Sequence, residues 1–254
     1  MIDVCNPVFK SQTNESINTG KWTHEKLNLL LHKASGIKDT GKRINFLSKQ
    51  FLGTAYKAST LIGDNSTPEV FVINLKEVDC FTFIDYIEAM RLSNSFGEFK
   101  GNLKKVRYRR GKASFKNRNH FFTDWIEYNS DKILDITEQT GSRKSKTIVK
   151  LLNKKEDGTR FISGLSFKKR KIKYIPSDAV NDSIIDKMKT GDYVGIYSNL
   201  HGLDVSHVGI FIRQSNKVYL RHASSNRRYR KVVDEDFRRY IADKPGIIVL
   251  RPKD

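Results

Sequence analysis

Two cysteines, Cys5 and Cys80, are all that the 254 residues carry, too few for a disulfide framework. A single bridge between them is the only one open to the chain, and Cys5 sits in a polar terminal stretch. Cys and His residues at zinc-finger spacing are absent, which argues against a structural zinc site. No run of roughly 20 apolar residues occurs, so no segment reads as a membrane-spanning helix. Residues 1–10 lack the basic-then-apolar pattern of a secretory leader, which leaves two readings: an intracellular chain, or a mature form behind an added start Met. Acidic residues are scarce beside basic ones, 28 against 47, for a formal net charge of +19. Such a field attracts polyanions and speeds association without specifying a fold. Nucleic acid is one partner class of matching charge, and the acidic polymers of a bacterial wall are another. The basic residues recur in short groups such as Lys104-Lys105, Arg109-Arg110, Arg227-Arg228 and Arg238-Arg239. A solvated basic surface is the favoured reading of that scatter, ahead of a dedicated nucleic-acid site.

What is present is a chain that changes character along its length. Residues 1–22 are polar and read as an extended arm, with residues 23–254 as a single domain. Leucines over residues 24–34, and Ile44, Leu47 and Phe51 at helical spacing, predict two helices. Residues 70–75 form a β-branched run that leads into Asp79 and Cys80. From Cys80 to Leu92 the residues Phe83, Ile84, Ile87 and Met90 share one helical face, which places Cys80 in the first turn. Residues 97–119 are basic and mixed, and residues 120–128 predict a short helix. Residues 141–172, rich in Lys and Arg, carry the least pattern. After that, strands are expected over 193–197, 207–212, 218–222, 229–233 and 247–250, with a helix over 234–242. The link 213–217 is short enough for a hairpin. Helices followed by antiparallel strands give an α+β layout, with the helices on one side of a meander.

A thiol is a useful nucleophile only as thiolate, and a helix start or a nearby imidazole favours that form. A free Cys is also among the most buried residue types, so Cys80 alone decides nothing. His207 opens one expected strand and His222 closes the next. A hairpin would bring the two imidazoles side by side, so that one can orient the other. His120 and Asp124, four apart on an expected helix, share a face. That is a spacing for two metal ligands, but a third ligand is missing. Substrate contact and a plain surface pair remain the two readings of that pair. No cofactor is implied.

Asp79-Cys80-Phe81-Thr82-Phe83 resembles the nucleophile motif of NlpC-type cell-wall hydrolases. Ser206-His207-Val208-Gly209-Ile210 resembles their base strand, and His222-Ala223-Ser224-Ser225 their third motif. Gly191-Asp192-Tyr193-Val194 resembles the pattern before the base strand. The four stand in the family order. The chain is most similar to the N-acetylmuramoyl-L-alanine amidase-like branch, through Gly53-Thr54-Ala55-Tyr56, Pro68-Glu69, Asn74-Leu75, Val106-Arg107-Tyr108 and the stretch from Asn119 to Trp125. Phe81 departs from the pattern, where relatives often have a small polar residue. The resemblance covers residues 50–252.

The resemblance implies a papain-like core with family-specific helical insertions and a Cys–His–His mechanism. Cys80 would attack a carbonyl carbon, His207 would take and return the proton, and His222 would orient His207. The backbone N–H of Cys80 and the Tyr56 hydroxyl are the candidate oxyanion donors, with Tyr56 as a core aromatic the competing reading. Asp79 would hold the turn, and His120, Asp124 and Ser206 would line the substrate site. The implied substrate is peptidoglycan or a muropeptide, cut between N-acetylmuramic acid and L-alanine or between γ-D-glutamate and the diamino acid. The implied location is periplasmic or secreted, if a leader has been removed. An acyltransferase is disfavoured because the Cys precedes the His. A non-catalytic wall- or polyanion-binding protein is disfavoured by the complete Cys–His–His set.

Overall fold

The computed structural model describes residues 14–254; Cys5 and any bridge to it lie outside the described residues. In chain order the elements are β1 (Glu15–Asn18), α1 (His24–Ser35), α2 (Thr40–Lys49), β2 (Ala55–Tyr56), β3 (Phe71–Asn74), β4 (Glu77–Val78), α3 (Cys80–Arg91), α4 (Phe96–Arg107) and α5 (Phe122–Tyr128). The second half holds β5 (Ile133–Asp135), α6 (Thr137–Gly141), β6 (Lys146–Leu152), β7 (Lys168–Pro176), α7 (Asp182–Lys187) and β8 (Tyr193–Tyr197). It ends with β9 (Val205–Gln214), β10 (Lys217–Ala223), β11 (Val232–Asp236), α8 (Phe237–Ile241) and β12 (Gly246–Pro252).

The principal sheet runs β11-β10-β9-β8-β12-β7-β6, with β5 also on β12. Strands β8 to β11 form the expected antiparallel meander. Its alternation buries two faces. Tyr193, Val208, Ile210 and Ile248 face one core, shared with Phe83, Ile84 and Ile87 of α3. Val194, Ile196, Phe211 and Val249 face a second core, shared with Ile184 of α7 and Phe237 and Ile241 of α8. Helices therefore cover both faces of the sheet, not one. The reason is that both sets of alternate residues on β8 and β12 are apolar, and each needs a cover.

Three further departures have local causes. The basic segment after residue 96 is a helix: Ser95 caps it, and Phe99, Leu103 and Val106 are buried while its lysines face outward. Residues 146–176 fold as a two-stranded ribbon, β6 on β7, in which lysines interrupt the apolar alternation. Lys150 is buried there because its ammonium donates to the carbonyls of Ser198, Leu200 and Leu203. The expected strand at 229–233 and helix at 234–242 each begin three residues later, as β11 and α8. Within the polar arm, β1 pairs in parallel with β3.

Helix α3 forms the centre of the first layer. Asp79 adopts extended backbone and accepts the N–H groups of Phe81 and Thr82, while Thr82 Oγ1 accepts the Asp79 N–H. This reciprocal cap satisfies donors that the first turn otherwise leaves orphaned. Phe83, Ile84, Ile87 and Met90 are fully buried, each contributing roughly 1.5–3 kcal/mol of transfer free energy. The helix is more enclosed than one apolar face implies: Asp85, Glu88 and Arg91 are buried too. Each has a partner, Asp85 with Arg107 at 2.9 Å, and Glu88 with Arg91 at 2.6 Å and with the Tyr193 hydroxyl at 2.9 Å.

Two ties fix the meander. Gly191 turns the chain into β8 at φ +96°, a conformation that favours glycine. Asp192 beside it accepts both Arg251 from β12 and the Lys189 N–H. Arg221 of β10 pairs with Asp234 of β11 at 2.7 Å and also donates to Asn45 and Ser48 of α2. The helical layer and the outer strands are thereby joined through one guanidinium.

Candidate active site

Cys80 is the first residue of α3, half-buried, with its sulfur within reach of the backbone N–H groups of Val208, Cys80 and Phe81. Val208 follows His207 on β9, so the helix start and β9 meet at this point. Burial, followed by the nearby Asp79 charge, pushes the thiol up to about 12 despite those three donors. At rest the group is therefore a neutral thiol.

His207 and His222 come together. His207 Nε2 lies 2.6 Å from His222 Nδ1, and His222 Nε2 lies 2.8 Å from Glu235 Oε1. The two rings stand nearly perpendicular, with centroids 4.8 Å apart. Burial lowers His207 to about 3, helped by His222 and Lys244, and burial lowers His222 to about 4 against the pull of Asp234. Both imidazoles are neutral at rest, so His222 and Glu235 share a hydrogen bond and not an ion pair. The Tyr240 ring of α8 packs on both, 4.9 Å from His222 and 6.0 Å from His207 between centroids. A cleft of about 320 Å³ opens here, lined by the two histidines, Ser224, Ser225, Asn226, Glu235, Tyr240 and Lys244. Larger hollows of about 610 and 410 Å³ lie away from Cys80 and both imidazoles.

Tyr56 of β2 stands close enough to Cys80 and Asp79 for their charges to raise its hydroxyl, after burial. Its ring carries the Arg230 guanidinium at 4.8 Å. Asp79 spends its Oδ1 on the helix cap. Ser206 is exposed beside His207, with its hydroxyl 3.5 Å from the Ile196 carbonyl.

His120 and Asp124 fall elsewhere. Helix α5 starts at Phe122, so His120 precedes it and the two do not share a helical face. His120 Nε2 meets the Phe115 carbonyl at 2.7 Å, and burial lowers the ring to about 4. The Asp124 carboxylate, 1% exposed, is engaged by Lys168 and Arg170 of β7. Both residues line a separate hollow with Arg109, Lys116 and Lys168. Phe81, the residue that departs from the motif, packs edge-on against Trp125 of α5. Among the described residues no group of three His, Cys, Asp or Glu is placed to hold a metal ion, and no helix is long and apolar enough to cross a membrane.

Glu235 and Tyr240 were not among the expected site residues. Alternation could have exposed Glu235, but the three-residue shift of β11 put it on a helix. Tyr240 is separated from both histidines in sequence and has no motif of its own.

A model of the AmiA-like family, described as N-acetylmuramoyl-L-alanine amidase-like, matches residues 46–247. A solved N-acetylmuramoyl-L-alanine amidase from Bacteroides uniformis is 31% identical, with a TM-score of 0.70 over 85% of this chain and 99% of that one. A second structure from the same organism gives 30% identity and a TM-score of 0.71 over the same shares. A Legionella pneumophila protein of the family DUF1460 is 24% identical, with a TM-score of 0.76 over 91% of this chain and 94% of that one; at that identity it shows a common fold. Among curated proteins none matches.

Proposed function

Because the chain belongs to the N-acetylmuramoyl-L-alanine amidase-like family, we propose that it is a cysteine amidase of NlpC type, with a papain-like core. It cleaves the bond between N-acetylmuramic acid and L-alanine in peptidoglycan. One observation carries the mechanism: a helix-start thiol reaches the backbone of the residue after His207, and the His207 imidazole is hydrogen-bonded to a second one.

Thiol and imidazole rest neutral, so proton transfer accompanies attack. The Cys80 proton moves to His207 Nδ1 as sulfur bonds the muramoyl carbonyl carbon and the carbonyl π pair moves to oxygen. The Cys80 N–H and the Tyr56 hydroxyl are the donors assigned to that oxyanion. Collapse expels the alanine amine, which takes the proton from His207. Water, activated by the same imidazole, then hydrolyses the thioester. Catalytic contacts tighten when substrate fills a site, and no step requires a metal. Ser206 beside His207, and His120 and Asp124 in the separate hollow, are assigned to substrate contact. Asp79 is assigned to holding Cys80 at the helix start. The substrate sets the location, outside the cytoplasmic membrane, where the acidic polymers of the wall match the charge of +19.

The test is digestion of purified muropeptides with product masses, before and after alkylation of Cys80. The expected products are the intact stem peptide and the free muramic sugar. Release of a truncated peptide would redirect the reading to the γ-D-glutamyl bond, and cleavage that survives complete alkylation would remove the cysteine mechanism.

A further inference from the structure

The strands β9, β10 and β11 are neighbours, and each contributes one side chain to a single diagonal row. Arg221 pairs with Ile210 on one side and with Asp234 on the other, and His222 pairs with Val233. Glu235 lies two residues beyond Val233 on the same face. Extending the β9 register by one residue places Gly209 opposite His222, with His207 two residues away on the same face. Gly209 has no side chain to stand between the rings. Diagonal neighbours on a sheet lie about 7–8 Å apart at Cα, within reach of long side chains. The observed contacts, 2.6 Å and 2.8 Å, fill both steps.

We propose that Glu235 is a positioning residue whose carboxylate, acting through His222, fixes which nitrogen of each imidazole carries the proton; the proposal rests on the amidase reading above. An ionised carboxylate only accepts hydrogen bonds. The proton between Glu235 and His222 therefore sits on His222 Nε2. A neutral imidazole carries one N–H, so His222 Nδ1 keeps a lone pair and accepts the His207 Nε2–H. His207 Nδ1 is then left as the free base. That is the atom to which the mechanism assigns the Cys80 proton. When it is protonated, His207 Nε2–H still donates to His222 Nδ1, and no proton passes on to Glu235. The carboxylate orients the row without relaying anything.

Burial raises the Glu235 carboxyl, and the nearby Ser224 side chain and the positive charges of Arg228, Arg239 and Lys244 oppose that rise. Asp234, paired with Arg221 on the opposite face of the sheet, and Lys244 are near enough for their charges to act on His222 and His207, and the Tyr240 ring covers both imidazoles. Glu235 itself retains 23% exposure while His222 has 1%, so the charged end of the row is the hydrated end.

The experiment reads the imidazole tautomers directly, by long-range proton–nitrogen NMR of the full chain at neutral pH. Wild type is expected to show His207 and His222 each protonated at Nε2 alone. Glu235→Ala, and the isosteric Glu235→Gln as a guard against misfolding, are expected to give mixtures of tautomers with an unchanged backbone spectrum. With a soluble muropeptide, both variants are expected to lose roughly ten- to a hundredfold in kcat, as groups that orient a histidine typically do, with little change in KM. Loss of the carboxylate removes a field that favours imidazolium. The acid limb of kcat/KM therefore moves to lower pH, and Glu235→Asp returns it part of the way. Unchanged tautomers in folded Glu235→Gln and Glu235→Ala would overturn the proposal, as would wild-type kcat in both. A wild-type protein that cuts no muropeptide would sink the amidase reading, and the tautomers would still decide the role of Glu235.

Discussion

Arg107, at the end of α4, meets Asp85, on the helix that begins at Cys80, at 2.9 Å with 1% and 2% of their side chains exposed. The guanidinium also donates to the Val72 carbonyl at 2.6 Å, and the Trp125 indole donates to Asp85 at 3.0 Å. Burial pushes the carboxyl up, and Arg107 holds it down. Removing one partner leaves an uncompensated buried charge, which costs about 3–5 kcal/mol. Arg107→Ala is expected to lower the urea midpoint accordingly. A loss below about 1 kcal/mol, the worth of an exposed pair, would contradict the buried geometry.

Cys80→Ala and His207→Ala are each expected to cut muropeptide turnover by at least about 10⁴-fold, in the range seen for members of a nucleophile–base unit. Both should leave the thermal midpoint within a few degrees. His222→Ala is expected to be milder, roughly 10²-fold, because it orients the base without exchanging protons with substrate. Equal losses for all three, in proteins of matched fold by circular dichroism, would mean that the two imidazoles cannot be assigned separate roles.

The resting charges set a pH window for stability. His207 and His222 are lowered to about 3 and about 4, so the unfolded chain binds more protons than the native one at mildly acidic pH. Stability is then lost as pH falls from about 6.5, the ordinary histidine value, toward those folded values. Cys80, raised to about 12, acts at the other end. The native thiol keeps its proton after the unfolded one has released it, so stability falls again as pH rises above the ordinary thiol range. Thermal midpoints over a pH series should form a plateau between neutrality and mild alkalinity. A midpoint that stays flat down to pH 4.5 would show that neither imidazole is held neutral by burial.

The readable part of the sequence was where one physical signal acts alone. Helix α3 showed in the spacing of Phe83, Ile84, Ile87 and Met90, and the hairpin of β9 and β10 in its apolar runs on either side of a short link. Lysines hid the rest. In α4 they separate Phe99, Leu103 and Val106, and in β6 the buried Lys150 occupies an inward position because three loop carbonyls satisfy it. Local spacing could suggest that His207 and His222 are neighbours, but not the third step to Glu235. That contact depends on the β10–β11 register, which is fixed by Arg221 with Asp234 and by the packing of α8. His120 was misplaced for a related reason. Its ring is held by the Phe115 carbonyl in the preceding loop, and α5 begins after it.

The basic surface should act at long range and the catalytic cleft at contact distance. Exposed charges are screened over roughly 8 Å at physiological ionic strength. Binding to intact wall sacculi is therefore expected to weaken steeply across a salt series, while turnover of a small soluble muropeptide changes little. An equal loss on both would put basic side chains inside the recognition site. Arg109, Lys116 and Lys168, beside His120, would be the first to substitute.

The sulfur of Cys80 leans on the backbone of Val208, a neighbour made much later than the cysteine itself. A ribosome adds roughly 5–20 residues per second, so a nascent chain carries Cys80 for on the order of ten seconds before β9 exists. Through that interval the thiol has ordinary acidity and is open to any oxidant or electrophile it meets. The event that buries it is the arrival of the outer strands, which Arg221 links to α2. The thiol is thus shielded from indiscriminate reaction only once the strands that follow it in the chain have been made and folded.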